Sequence, residues 1–328
     1  MFKIAIFDVI VKANTTQPYV DVRLVHHKYL FLETVQNFSL LGMVNKALTF
    51  TGKVVLAVAI LIGLVGKFSP HLFFKIPNGF IPWVIMGNPL PPYITTEPWL
   101  PENRGWTRPN DVVVSVAPKS GTTWMLFCSH QIRVKGDDET YPYVDVSIST
   151  PWPDMVQTPG DKVTMSWESR RKALNTTVLP DGTPLSQYWD NPDYPFRIFK
   201  SHHLPEIFGD LIGGDSKLKL LAMARNGLDQ VASAAPFFNN HNDDFRKLWG
   251  GFPPASSGDA REDALTRMDE MLPGGIFHDW YFKYVNEWWK VKDEKNVLLL
   301  HYSDAKKDLS GNYYIPQTFM CNNYVWNY

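Results

Sequence analysis

The sequence predicts an α/β protein in which a central parallel sheet is flanked by helices. Helical patterns alternate with short apolar runs, beginning with a helix at Thr122–Val134 and another after Asn226. Because strands that alternate with helices form parallel sheets covered on both faces, the strands should be almost wholly apolar. The four runs that fit this description lie at 111–117, 196–200, 218–224 and 296–301.

The composition of the chain limits which ligands and cofactors it is expected to bind. The 328 residues include 32 basic and 33 acidic side chains, so the chain has no basic field that would attract nucleic acid. Hydrophobic residues make up 45% of the chain, which is typical of a globular domain with a large core. The two cysteines, Cys128 and Cys321, offer neither a disulfide framework nor a Cys-x-x-Cys metal site. We therefore expect no metal cofactor.

The N-terminal region has no motif over 1–50, and an apolar segment follows at 51–68. Its unbroken apolar run, Val54 to Gly66, is bounded by two lysines and is shorter than the roughly 20 residues that cross a bilayer. If those lysines extend to the interface, the segment becomes a membrane-anchor helix of a membrane-associated protein. The alternative, a buried core helix, leaves a cytoplasmic protein.

The remaining chain divides into three parts. Prolines are dense over 69–105, which predicts an extended connector that packs on a surface. The α/β domain follows over 106–312. The tail at 313–328 keeps no helical period and is rich in aromatic residues and asparagine.

A phosphate loop is predicted where the first strand meets its helix, in the string Ala117-Pro-Lys-Ser-Gly-Thr-Thr-Trp124. Gly121 allows close approach of the backbone, and the start of the helix presents N–H groups to an anion. Lys119 adds a positive charge. In a Walker A loop the lysine follows the last glycine, whereas Lys119 precedes Gly121. A kinase or an NTP-hydrolysing enzyme is therefore disfavoured.

This string resembles, letter for letter, the 5′-phosphosulfate loop of the cytosolic-type sulfotransferases. The resemblance covers about 112–312 and implies a P-loop-like sulfotransferase fold. It also implies that the nucleotide 3′-phosphoadenosine 5′-phosphosulfate (PAPS) is the sulfuryl donor. The donor-binding residues that it implies in this loop are Lys119, Ser120, Gly121, Thr122, Thr123 and Trp124, with the tryptophan on the adenine.

A second anion site is predicted after the third strand, where Arg225 is followed eight positions later by Ser233. Arginine suits phosphate because its guanidinium is a planar donor of several hydrogen bonds. Taken alone, the stretch also fits a structural ion pair between Arg225 and Asp229. It resembles the family's 3′-phosphate motif, which implies that Arg225 and Ser233 bind the 3′-phosphate of the donor.

A general base is predicted at the end of the second strand, in Lys200-Ser-His-His-Leu-Pro205. Histidine has a pKa near neutrality and suits proton abstraction from an acceptor. The segment resembles the family's catalytic Lys-Thr-His-Leu-Pro with one additional histidine. Counting along the strand selects His202, counting back from Pro205 selects His203, and His202 is preferred because strand register fixes the first count. The resemblance implies that Lys119 and Lys200 assist the transfer.

Residues 279–289 resemble an aromatic helix of the family. The resemblance places Phe282 where the family has the residue that borders the adenine, and Trp288 and Trp289 are expected in the core. The family's Arg-Lys-Gly loop on the 3′-phosphate has no counterpart in 313–328. Two hypotheses follow: an active sulfotransferase, and a protein that binds PAPS or its product PAP without catalysis. The acceptor hydroxyl or amine could belong to a small molecule, a lipid, a glycan or a peptide.

Overall fold

The structure, a computed structural model, describes a defined part of the chain. This part comprises residues 50–68, 70–75, 81, 93–156, 167–273, 275, 278–307, 316 and 319–320. The predictions for 1–49 and for most of the tail at 313–328 fall outside these residues. The chain divides into two units, Met1–Ile62 and Gly63–Tyr328.

Helix α1 spans Phe50–Phe68 and covers the apolar segment. Its valine, leucine and isoleucine side chains between Val54 and Leu64 are at least 42% exposed. The alternative of a buried core helix is therefore wrong for these side chains. Across the described part of the chain, no helix combines the length and the apolar character needed to cross a bilayer. The predicted membrane anchor at 51–68 is thus unsupported.

The four predicted strands are present and form one parallel sheet in the order β2-β1-β3-β4. Val112 in β1 is paired with Ile198 in β2 and with Lys219 in β3, and Leu220 in β3 is paired with Val297 in β4. The strands are β1 Val112–Ser115, β2 Ile198–Ser201, β3 Lys219–Ala224 and β4 Val297–His301. The predicted α/β class is confirmed.

The helices that position the site follow the strands directly. Helix α2 spans Thr122–Val134, as predicted, and follows β1. Helix α7 spans Gly227–Asn239 and is capped by Asn226, whose side chain accepts a hydrogen bond from the Leu228 N–H. The others are α3 Val146–Ser149, α4 Trp167–Thr176, α5 Ser186–Trp189, α6 Pro205–Phe208, α8 Asp243–Leu248, α9 Ala260–Asp269, α10 Tyr284–Lys290 and α11 Tyr302–Lys307.

Both faces of the sheet are buried because successive strand residues point to opposite sides. Val113 packs in one core with Trp288 of α10, whereas Val112 and Val114 pack in the other core with Leu126 of α2. The prediction that both tryptophans of α10 lie in the core holds for Trp288 only, since Trp289 is 61% exposed. The sheet is thus covered on both faces, as parallel sheets require.

The described residues of the predicted connector form short 3-10 turns at Pro70–Lys75 and Glu97–Trp99. Three of its aromatic side chains, those of Phe73, Tyr93 and Trp99, are buried. Its aromatic residues at 80 and 83 lie outside the described residues. This proline-rich stretch therefore contributes apolar side chains to the core.

Candidate nucleotide and transfer site

The predicted site residues converge because all four strands run in the same direction. Their carboxyl ends lie at one edge of the sheet, where ligands bind in open α/β sheets. The phosphate loop follows β1, His202 follows β2 and Arg225 follows β3. Tyr302 begins α11 at the end of β4. Residues that are far apart in the sequence thus share one edge.

The phosphate loop has an unusual backbone at two positions. Lys119 has a φ of 64° and Gly121 a φ of 107°, both in the left-handed region that side chains disfavour. A Cβ atom at position 121 would lie 3.0 Å from the Tyr302 ring and 3.1 Å from the Met223 sulfur. Only glycine therefore fits this turn without displacement of its neighbours.

The start of α2 is open to an anion. Gly121 is the N-cap residue, and no side chain caps the helix. The N–H groups of the first helical turn have no acceptor within the helix, and the helix dipole adds positive potential there. These features are what a bound phosphate group requires.

Three buried donors around this opening lack a hydrogen-bond partner among the described residues. They are the Ser120 Oγ, the Thr122 Oγ1 and the Arg225 Nε. An unpaired buried polar atom costs about 1 to 3 kcal/mol. A nucleotide phosphate would satisfy such donors, so the residues present fit the donor that the sequence implies.

Arg225 and α7 hold the phosphate loop in place. The Arg225 Nη1 donates to the Lys119 carbonyl at 2.8 Å, and the Gln230 Nε2 donates to the Pro118 carbonyl at 2.6 Å. Two consecutive carbonyls of the strained turn are thus bound by the residue that follows β3 and by α7. The two predicted anion motifs are therefore joined physically, with Ser233 further along α7.

The cations of the site repel one another. Burial and the nearby charge of Arg225 lower the pKa of Lys119. Burial lowers the pKa of Lys200 to about 8, and Lys119 adds to the effect while Asp154 opposes it. The ammonium groups lie on aromatic rings, that of Lys119 4.2 Å from the centre of Phe237 and that of Lys200 3.7 Å from the centre of Trp152. An anion bound among these groups would relieve their repulsion.

The two histidines after β2 occupy different environments. His203 is 1% exposed, and its Nε2 donates to the Thr95 carbonyl at 2.9 Å. Its own carbonyl accepts hydrogen bonds from the Ser115 hydroxyl and the Trp288 indole. His202 is only partly buried and packs edge-on against Trp152, with ring centres 5.1 Å apart. His203 is therefore held inside the fold, whereas His202 lies closer to its surface.

The hydrogen bond of His202 determines its tautomer. Its Nδ1 lies within hydrogen-bond distance of the Val116 carbonyl, which can only accept. The Nδ1 therefore carries the proton, and the Nε2 keeps a free lone pair. Burial and the charge of Lys200 lower the pKa of His202 to about 3, which keeps the ring neutral. A neutral ring whose Nε2 carries no proton is the form that accepts one. The lowered pKa makes this ring a weaker base than the near-neutral histidine expected from the sequence, and the negative charge of a bound anion would raise that pKa.

Three residues of the site were missed by sequence reasoning. Tyr302 lies 5.3 Å from the Trp124 ring and 4.5 Å from the Arg225 guanidinium, measured from ring centres. Trp152 contacts both Lys200 and His202, and Gln230 holds the phosphate loop. The position of Tyr302 directly after a buried strand is the one sequence signal that could have identified any of them.

The aromatic helix contains a π-helical turn at Asp279–Lys283, immediately before α10. Such a turn adds one residue to the helix and shifts everything before it by one position. The resemblance to the family placed Phe282 beside the adenine, and its side chain is 50% exposed. Tyr281 instead approaches the start of α7, because a Cβ atom at Gly227 would lie 3.0 Å from its ring.

Metal chemistry has no visible site in the described residues. They contain no group of three or more histidine, cysteine, aspartate or glutamate side chains that could hold an ion.

Comparisons with known proteins identify the family of the chain. Sulfotransferase 1B1 of Canis lupus familiaris is 26% identical over 202 residues, covering 62% of this chain and 56% of that protein. Human sulfotransferase 1E1 is 27% identical over 202 residues, with the same two coverages. The chain thus spans little more than half the length of these curated relatives.

Among solved structures, retinol dehydratase in complex with retinol and PAP has a TM-score of 0.43 at 20% identity, over 65% of this chain and 60% of that one. Mouse sulfotransferase SULT7A1 complexed with PAP has a TM-score of 0.42 at 18% identity, over 68% and 61%. A family model described as the sulfotransferase domain matches residues 109–320, well over half of the chain. The chain therefore belongs to the sulfotransferase domain family.

Proposed function

We propose that the protein transfers a sulfuryl group from PAPS to a hydroxyl or amine of a small-molecule acceptor. The observation that carries this proposal is the physical junction of two anion-binding motifs at one sheet edge. Arg225, from the 3′-phosphate motif, donates directly to the Lys119 carbonyl of the 5′-phosphosulfate loop. A nucleotide with phosphate groups at both ends matches such a pair of sites.

Each part of the donor has residues that suit it. The open start of α2, with Lys119, Ser120, Gly121, Thr122 and Thr123, would hold the 5′-phosphosulfate. Arg225 and Ser233 would hold the 3′-phosphate. Trp124, which packs edge-on against Tyr302, would contact the adenine.

The donor supplies a sulfuryl group whose S–O bond to the 5′-phosphate breaks as the acceptor oxygen or nitrogen bonds to sulfur. In this proposal the His202 Nε2 takes the acceptor proton. Lys119 and Lys200 stabilise the negative charge on the departing phosphate oxygen. The products are the sulfated acceptor and PAP, and the proton on His202 returns to solvent.

Support for His202 over His203 comes from accessibility and tautomer. The proton of His203 Nε2 points to the Thr95 carbonyl, and the side chain is buried. His202 keeps its Nε2 unprotonated and lies close enough to Lys200 for the two charges to interact, which places it next to the other proposed transfer residue. We therefore assign the base to His202.

The proposal is tested with purified full-length protein, radiolabelled PAPS and a panel of small phenols, alcohols and amines. We expect labelled product from the wild type and a loss of at least about a hundredfold in kcat for Lys119→Ala and His202→Ala. Lys172→Ala, on the exposed surface of α4, is the control and should keep full activity. Full activity in either site variant would overturn the role assigned to it.

His203→Ala separates the two histidines. We expect it to lower the thermal midpoint, because it leaves the partly buried Thr95 carbonyl without its donor. His202→Ala removes the donor of the buried Val116 carbonyl, so it should lower the midpoint as well, and only His202→Ala should also abolish turnover. PAP binding without turnover on any acceptor would instead favour the non-catalytic alternative.

A further inference from the structure

A buried carboxylate lies directly behind the predicted base. Asp154 is 0% exposed and accepts hydrogen bonds from the indole of Trp99 and the hydroxyl of Ser201, both at 2.6 Å. The Trp152 indole donates to it at 3.3 Å, and the backbone N–H of His202 donates at 3.4 Å. Burial of a carboxylate costs free energy unless donors surround it, and here four donors do.

One oxygen of Asp154 fixes the turn that leaves β2. Its Oδ2 accepts from Ser201, from the His202 backbone and from Trp152, and the Ser201 Oγ accepts from the His203 N–H at 3.1 Å. Because the backbone on both sides of His202 is bound in this way, Asp154 positions the backbone that carries the ring, while the Val116 carbonyl holds the ring itself.

The Oδ2 of Asp154 also holds the Trp152 ring, which contacts both His202 and Lys200. Trp152 lies edge-on to His202 and beneath the Lys200 ammonium. Its indole N–H is bound to Asp154, so movement of the carboxylate would displace the Trp152 ring.

Asp154 is also the carboxylate whose negative charge acts on Lys200. The other charged or titratable groups that act on Lys200 are Lys119 and His202, and neither is acidic. Around Asp154 itself lie His203, whose Nε2 is 3.6 Å away, and Arg170, which binds the carbonyls of Trp152 and Pro153.

We propose that Asp154 is a positioning residue for the transfer: it fixes the turn that carries His202 and keeps Lys200 cationic. This proposal rests on the proposed function. The burial-lowered pKa of Lys200, about 8, agrees with it, since the charge of Asp154 opposes that lowering. Without Asp154, Lys200 would lose its proton at a lower pH, and the departing phosphate oxygen would lose a stabilising charge.

The test compares Asp154→Asn with the wild type in kcat as a function of pH. The asparagine keeps the size and one acceptor oxygen but removes the charge. We expect kcat to fall at least about tenfold. In the plot of kcat against pH, the decline on the alkaline side (the alkaline limb) should move about one pH unit lower. Asp263→Asn is the matched control, because Asp263 is also a buried carboxylate with several donors but lies on α9. It should leave the limb unchanged.

The same comparison in a Lys200→Arg variant identifies Lys200 as the group whose titration produces the alkaline limb. Arginine stays protonated throughout this pH range, so Lys200→Arg should abolish the alkaline limb. Asp154→Asn should then produce no further shift. A uniform loss of kcat at every pH, with the limb unmoved, would make Asp154 merely structural and overturn the proposal.

Two further measurements keep the proposal falsifiable. If Asp154→Asn does not fold, Ser201→Ala removes one partner but keeps the charge, and it should lower kcat without moving the limb. If the wild type shows no sulfuryl transfer, acetic anhydride labelling of Lys200 across about pH 6 to about pH 10 reads its pKa directly. An unchanged Lys200 pKa in Asp154→Asn would then contradict the proposal independently of turnover.

Discussion

The two ends of the sheet each carry a buried or partly buried arginine, and the two are paired differently. At the amino end, Arg197 is 4% exposed and binds Asp111 through two nitrogens, at 2.9 and 2.6 Å. At the carboxyl end, Arg225 has no carboxylate within 4.0 Å among the described residues, and its Nε is unpaired. The Nη1 of Arg197 also lacks a hydrogen bond, so the two ends differ in the carboxylate and not in unpaired donors. Asp111 neutralises Arg197 within the fold, whereas the charge of Arg225 remains available to an anion.

Replacing each arginine separately by alanine should give the largest difference between the two ends of the sheet. Arg197→Ala strands the buried carboxylate of Asp111, so we expect a loss of about 3 to 5 kcal/mol in the free energy of unfolding. Arg225→Ala should cost far less stability but weaken PAP binding about tenfold to a hundredfold. Urea denaturation and isothermal titration calorimetry measure the two effects. Equal losses of stability in Arg197→Ala and Arg225→Ala would contradict the proposed difference between the two ends of the sheet.

Alanine in place of Gly121 should give the next largest effect. It places a Cβ in the left-handed region and within 3.1 Å of Met223 and Tyr302, so we expect a cost of about 2 to 3 kcal/mol and weaker PAP binding. Gly136→Ala is the control at the other end of α2, where φ is 76° and no atom lies within 4 Å of the added Cβ. It should cost about 1 to 2 kcal/mol and leave PAP affinity unchanged. Equal PAP affinities in both variants would contradict the role of the turn.

Gln230→Leu tests whether α7 holds the phosphate loop. It leaves the Pro118 carbonyl without its donor, so we expect a cost of about 1 kcal/mol and an approximately fivefold weaker PAP affinity by titration. Ser129→Ala is the control, because that buried hydroxyl bonds only within α2, to the Met125 carbonyl. The same affinity in both variants would show that the loop needs no support from Gln230.

The smallest expected effect is the uptake of protons when PAP binds. The pKa of Lys200 is lowered to about 8 in the free protein, and the anion should raise it. Between the free and the bound pKa, binding must therefore take up protons, at most about one per site from Lys200. Calorimetry near about pH 8 in buffers of different ionisation enthalpy measures this uptake. Lys200→Arg should remove most of it, and identical heats in all buffers for the wild type would contradict the expected repulsion.

The fold and the central motifs could be predicted because their signals are local. The β-branched run that becomes β1, the glycine of the phosphate loop and the amphipathic start of α2 all lie within one short stretch. Each of the four strands was placed to within two residues of its observed bounds. Buried strands and tight turns leave such marks because their geometry restricts which residues fit.

The remaining parts of the site depend on packing between distant segments. Gln230 and Trp152 act through a backbone carbonyl and an aromatic face, and neither contact has a sequence pattern. The π-helical turn before α10 likewise has no sequence pattern, and neither has the approach of Tyr281 to the start of α7. The exposed Trp289 shows the same limit, because an aromatic pair does not reveal which member faces the core.

The hydrogen bonds from Arg225 and Gln230 to the phosphate loop fix the distance between the two proposed anion subsites. Because the loop's carbonyls are held by Arg225, directly after β3, and by α7, this distance cannot adapt freely to a ligand. Under the proposed function, ATP and ADP would reach the loop but leave the other subsite empty. Discrimination against these abundant nucleotides would then come from the missing 3′-phosphate, which leaves the second subsite unfilled, rather than from any contact that repels them.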